Sequence, residues 1–267
     1  MSTKIWELPE ECIERILLWT SPEDILRSAA VSKQFYSAAV SASLWKQLLP
    51  SDYDQIIKES STPLPFNSLK DLFLLLYRSH ILIDQNTKSF NLDKRSQKKC
   101  YMLGSRSLTI IWGSTPQYWS WISSAESRFP ENAELNYICW LEIKGQISTK
   151  SLSPNTTYGA YFVFKLRRMR YTGFEHLPVT VSVSKVDKDG HHEPLVTNSV
   201  YLKPQRGLPR DLSCPVKREE GWMEIEMGTH HVGMDEGVVL EVALMEIERG
   251  RWKRRLLVEG IELRPLD

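Results

Sequence analysis

The chain has 267 residues, 42% hydrophobic and 25% charged, with a formal net charge of +1, which leaves room for one large or two modest globular domains. So small a net charge excludes a strong global attraction to nucleic acid or anionic lipid, and no apolar run approaches the ~20 residues of a membrane helix; the longest candidate runs only from Leu72 to Tyr77. Cys12, Cys100, Cys139 and Cys214 lie far apart with no C-x-x-C spacing, which suggests a reducing compartment and neither a disulfide framework nor a zinc site. Glu7, Glu10 and Glu11 interrupt any basic-then-apolar signal pattern, so a cytosolic or nuclear protein is expected.

The first part of the chain reads helical. Pro9, Glu10 and Glu11 suit a first turn, and Ile13, Ile16 and Leu17 follow at helical spacing. Ser21-Pro22-Glu23-Asp24 opens a second helix in a pattern like a capping box, with Ile25, Leu26, Ala29 and Ala30 as its apolar stripe. Ser32 caps a third helix carrying Phe35, Ala38, Ala39 and Ala42 and ending near Leu48-Leu49-Pro50, and a fourth helical stretch begins at Ser68 and runs through Leu72, Phe73, Leu75 and Leu76. Thr87 to Lys99 is polar and basic and reads as a linker.

Beyond Cys100 the period becomes two. Val179, Val181 and Val183 alternate with polar residues, as do Met223, Ile225 and Met227, and then Leu240, Val242 and Leu244. Such alternation marks half-buried antiparallel strands. Turn signals at Ser153-Pro154-Asn155, Lys188-Asp189-Gly190, Glu219-Glu220-Gly221 and Arg249-Gly250 separate them. The expected fold is α+β in two domains: small helical domain first, antiparallel β-sandwich of jelly-roll type second. The segments are 1–50, a helical or linker connector over 51–99, and 100–267.

Three short helices in so few residues bury too little to be robust alone, so some of Leu8, Ile13, Leu17, Ile25, Val31, Phe35 and Trp45 must face a partner or the following domain. The run Leu8-Pro9-Glu10-Glu11-Cys12-Ile13-Glu14-Arg15-Ile16-Leu17, then Ser21-Pro22-Glu23-Asp24-Ile25, Val31-Ser32-Lys33-Gln34-Phe35 and Leu44-Trp45 resembles an F-box in order, spacing and residue type. Thr20 departs from it where the family often has leucine. The resemblance implies that Leu8, Pro9, Ile13, Ile16, Leu17 and Pro22 contribute to a surface for an Skp-type adaptor and, through it, a cullin.

The second domain carries Lys99-Cys100-Tyr101-Met102-Leu103, Trp112 and Trp119 in a W-x6-W spacing, Trp140-Leu141-Glu142-Ile143-Lys144-Gly145, Gly221-Trp222-Met223-Glu224-Ile225 and a closing Val258-Glu259-Gly260-Ile261-Glu262-Leu263-Arg264-Pro265. From about Cys100 to Pro265 it resembles the phloem-protein-two lectins of plants, the family that includes Nictaba and often follows an F-box. The resemblance implies binding of glycans or glycoproteins containing N-acetylglucosamine, with Trp112, Trp119 and Glu246 in the sugar site. An indole covers the C–H face of a sugar and a carboxylate accepts two of its hydroxyls. Trp140 reads as core. Arg255 stands where the family commonly has glycine.

Bland readings suffice for the remaining signals. The basic run Arg251, Lys253, Arg254, Arg255 reads as a solvated hairpin. His191-His192 and His230-His231 read as surface loops, since adjacent strand side chains point to opposite faces. Glu224 with Glu226, or Glu246 with Glu248, would serve a glycosidase only if one carboxyl had a raised pKa in a cleft. The two resemblances together imply a non-catalytic substrate receptor of a ubiquitin ligase, and neither a cofactor or metal nor a nucleic-acid or membrane partner is expected. Recognition of a protein surface without sugar, or a glycan hydrolase, are the competing readings.

Overall fold

The computed structural model describes residues 8–167, 173–174, 178–203, 214–234, 237–247 and 250–266. The chain divides into two compact units, Met1–His80 and Ile81–Asp267.

The first unit holds α1 (Glu10–Leu17), α2 (Pro22–Ser28), α3 (Lys33–Val40), α4 (Ala42–Leu48), α5 (Tyr53–Glu59) and α6 (Leu69–Arg78). Local chemistry starts most of them. The Pro9 carbonyl accepts from the amides of Cys12 and Ile13, and the hydroxyls of Ser21, Ser32 and Ser68 accept from the amides of Asp24, Phe35 and Asp71 at 3.1, 3.3 and 3.1 Å, as N-caps do. The single third helix expected from Ser32 to Leu48 is in fact two. Ser41 is extended (φ −60°, ψ 131°) and its hydroxyl accepts from the Ser43 amide, so α3 ends and α4 begins there. The break lets the Trp45 indole donate to the Ala39 carbonyl at 2.8 Å, satisfying a helix-end acceptor.

Ile13, Leu17, Ile25, Ala38, Leu44, Trp45, Leu72, Phe73 and Leu76 form the interior. Trp45 and Phe73 meet with ring centroids 5.2 Å apart, which joins α4 to α6. Two carboxylates of α1 reach the neighbouring helices: Ser43 donates to Glu14 and Ser37 donates to Glu10.

The second unit holds β1 (Ile81–Ile83), β2 (Lys88–Leu92), β3 (Lys99–Gly104), β4 (Thr109–Ile110), β5 (Trp119–Ile122), β6 (Asn132–Leu135), β7 (Leu141–Ser148), β8 (Thr156–Leu166), β9 (Val179–Val186), β10 (His192–Val200), β11 (Val216–Lys217), β12 (Met223–Val232), β13 (Val239–Glu246) and β14 (Leu256–Pro265). One sheet runs β1-β2-β3-β14-β8-β12-β11, with β5 and β6 attached through β14; the other runs β10-β9-β13-β7-β4. The paired strands are antiparallel. The alternating residues meet between the sheets: Val179, Val181, Val183, Ile225, Met227, Leu240, Val242 and Leu244 are all buried. A Cβ on Gly145 of one sheet would lie 2.9 Å from Leu103 of the other, which is how closely they pack. Gly260, just after a bulge in β14, would place a Cβ 2.1 Å from the Leu103 carbonyl oxygen, so the β14–β3 crossing requires glycine.

These facts correct the 51–99 connector. Helices α5 and α6 belong to the first unit, and the supposed linker over Thr87–Lys99 supplies β2 and the start of β3 to the second. Within β2, Lys88 and Asn91 are half-exposed while Ser89, Phe90 and Leu92 are buried. Trp140 is also corrected: it is 42% exposed just before β7, not core.

Candidate functional site

Helix α1 and its neighbours divide the six residues expected to face an adaptor into two groups. Ile13, Leu17 and Pro22 are buried within the unit. Pro9 and Ile16 are exposed and Leu8 half-buried. The structure adds apolar residues that the sequence reading did not select. Trp19, in the turn that closes α1, is 92% exposed, with Val31 at 70% and Tyr36 at 58%. A tryptophan three residues beyond Ile16 shares its helical face, a signal that was present in the spacing.

In the second unit, Trp112 and Trp119 have opposite fates. Trp112 sits in the loop after β4 with φ +51°, is 43% exposed, and lies against Tyr118 with centroids 5.1 Å apart. Trp119, at the start of β5, is 2% exposed and its indole donates to the Ile111 carbonyl. The Trp121 indole donates to the Gly113 carbonyl. The two inner tryptophans thus hold the loop that turns Trp112 outward, which sustains a backbone conformation uncommon for a residue with a Cβ. Trp119 positions the loop and offers no ring face to a ligand.

Glu246, at the end of β13, is buried, and its carboxylate pairs with Lys253. The Lys253 ammonium, 0% exposed, also donates to the carbonyls of Cys139 and Arg251 at 3.0 and 2.8 Å. Glu246 therefore has a structural partner where a sugar hydroxyl was expected. The basic run is likewise not one solvated hairpin: Lys253 is interior, Arg255 pairs with Glu134, and Trp252 is 47% exposed and stacked on Tyr137 at 4.1 Å and 5°. His230 and His231 lie in β12, not in a loop.

Backbone hydrogen bonds bring these aromatics together at one end of the sandwich. The Ile111 amide donates to Glu142 beside Trp140, the Asn136 amide donates to Tyr118, and Ile138 and Lys253 exchange bonds at 3.0 and 2.7 Å. Trp112, Tyr118, Tyr137, Trp140 and Trp252 are thus carried by three adjoining segments.

Arginines hold two carboxyls of the first sheet, Glu224 and Glu262. Glu224 contacts Arg218 and Arg264 at 2.8 and 2.7 Å, and Glu262 contacts Arg218, Arg128 and Arg264. Burial opposes ionisation of both, yet these guanidinium groups outweigh it and hold both carboxyls below their usual range. Glu226 is exposed, and Glu248 lies outside the described residues. Glu259, set in the β14 bulge, is shifted up by burial despite the Arg128 amide it accepts from. The depressed pair stabilises the fold fully above the unfolded carboxyl value of 4.5, and that stability is lost as pH falls through the folded values; Glu259 works in the opposite direction. The melting temperature is expected to drop steeply below about pH 4.5, and less steeply in Glu224→Gln, as measured by calorimetry across pH 3–7.

The chain is thus an α+β protein of two units, a helical unit followed by an antiparallel β-sandwich. Residues 5–51 match the family described as F-box-like and residues 98–265 the family described as Phloem protein 2. The chain belongs to the F-box proteins that carry a phloem protein 2 domain. The Arabidopsis thaliana F-box protein At2g02240 is 42% identical over 260 residues, covering 97% of this chain and 79% of its own. The F-box protein PP2-B10 of the same plant is 38% identical over 259 residues, covering 96% and 92%. Among solved structures, the CBM22-1 xylan-binding domain of Paenibacillus barcinonensis Xyn10C covers 61% of this chain and 88% of that domain at 11% identity, with a TM-score of 0.32, a likeness too slight to carry an argument.

Proposed function

We propose that this protein is the non-catalytic substrate-recognition subunit of an Skp–cullin–F-box ubiquitin ligase, working in the cytosol or nucleus. The observation that carries the reading is the F-box-like segment, whose α1 leaves Pro9, Ile16 and Trp19 exposed. Leu8 and the buried Ile13, Leu17 and Pro22 complete the adaptor surface from below. Such a subunit does no chemistry; holding a target beside a ubiquitin-charged enzyme raises its effective concentration.

The second unit selects the target by binding N-acetylglucosamine-containing glycans on the Trp112–Tyr118 face. A second reading, recognition of a protein surface, is favoured by the burial of Trp119 and Glu246, two of the three residues expected to hold a sugar.

The test uses the full chain. Ile16→Asp with Trp19→Ala is expected to weaken capture by an Skp-type adaptor at least tenfold without changing the melting temperature, because both side chains are exposed; unchanged capture overturns the docking reading. In calorimetric titration with an N-acetylglucosamine oligomer, saturable binding lost in Trp112→Ala supports the glycan reading. Target capture that survives deglycosylation supports the protein reading instead.

A further inference from the structure

The Tyr137–Trp252 stack shares its end of the sandwich with Trp112 and Tyr118 but has its own cation. Trp252 is held by its neighbour Lys253, whose ammonium is fixed by Glu246 and two carbonyls. Tyr137 is held by the backbone exchange between Ile138 and Lys253. The parallel rings, 41% and 47% exposed, are therefore rigid without being covered. The Arg254 guanidinium lies 5.6 Å from the Tyr137 ring centroid, and its buried Nε has no hydrogen-bond partner.

Arginine keeps its charge at any physiological pH, and a desolvated guanidinium donor without a partner is costly. Among the described residues no carboxylate pairs with Arg254: Arg251 is exposed and also cationic, Lys253 is taken by Glu246, and Arg255 and Arg167 share Glu134. Arg254 itself is half-buried, so its guanidinium stands next to the flat aromatic platform.

We propose that Tyr137, Trp252 and Arg254 form a binding site for a carboxylate-bearing sugar ring, a hexuronate. The C–H face of the ring lies on the exposed aromatic surface, and the carboxylate, one bond beyond the ring, meets Arg254. This ligand class and these residues differ from the N-acetylglucosamine reading of the Trp112 face, and the two fail separately.

The test titrates the full chain with three probes: a trigalacturonate, the same trimer with its carboxyls reduced to alcohols, and a hexaglutamate peptide. Saturable binding of the acidic trimer is expected, weakened at least about tenfold by Arg254→Gln, the usual scale for a hydrogen bond to a charged group, and by Trp252→Ala. The reduced trimer and the peptide are expected not to bind, and Arg251→Gln is expected to stay within about twofold, as a rim charge does. Melting curves check that each variant is folded; should Trp252→Ala fail, Arg254→Gln carries the test alone. Three results overturn the proposal: no binding of trigalacturonate, binding unchanged in Arg254→Gln, or hexaglutamate binding as tightly, which makes the site an acidic-peptide or charge patch. Loss of N-acetylglucosamine binding in Trp112→Ala bears on the other face alone.

Discussion

Glu246→Gln is expected to cost the second unit about 3–5 kcal/mol, because it leaves the Lys253 ammonium buried without its counter-charge. For a unit of this size each kcal/mol shifts the melting temperature by about 2–4 °C, so the expected drop is on the order of 6–20 °C. Lys253→Met with Glu246→Met should recover most of it, since replacing a buried pair by apolar groups of similar volume is often neutral or better. The measurement is scanning calorimetry of the full chain, single variants beside the double. It also decides what Glu246 does. A sugar-binding carboxylate would lose ligand affinity on conversion to glutamine and leave the melting temperature unchanged, and that result would remove the structural role assigned to it here.

Trp45→Ala is expected to cost the first unit about 3–5 kcal/mol, an amount comparable to the whole stability of so small a unit. The indole is 0% exposed, packs on Phe73 and donates to the Ala39 carbonyl across the α3–α4 break. Its removal opens a cavity and orphans that carbonyl. Amide exchange on the full chain is expected to show loss of protection across α1 to α4 with the strands of the second unit unchanged, and adaptor capture should fall with it. Trp45→Phe keeps most of the packing and forfeits the hydrogen bond, for about 1–3 kcal/mol. If α1 to α4 keep their protection in Trp45→Ala, the interior described for this unit is wrong.

The features legible in the sequence are those settled by near neighbours. Ser21, Ser32 and Ser68 each cap a helix because a hydroxyl and an amide three residues on are brought together by the backbone alone. The alternation in β9, β12 and β13 shows because each strand has one face between the sheets. The break at Ser41 was hidden among serines and alanines that also suit a helix interior. Trp19 was legible in spacing but not in exposure.

The candidate site was less legible because burial there depends on distant partners. Trp112 and Trp119 are the same residue type in one short segment. One is turned out by a left-handed backbone and the other is captured by the Ile111 carbonyl, and neither outcome follows from composition. Lys253 is interior because Glu246 and the Cys139 carbonyl arrive from β13 and from the segment before β7; in the sequence it stands in a run of cations that reads as surface. Trp140 and Trp252 are exposed because the sandwich ends where they stand.

By itself, then, the sequence determined the two-part order of the chain, its helix starts and its strand faces, since capping and two-residue alternation are local consequences of backbone geometry. Only the tertiary structure decided where the units divide, which tryptophans face solvent and which charges are paired, because the burial of a side chain depends on segments tens of residues away that cover it or leave it open.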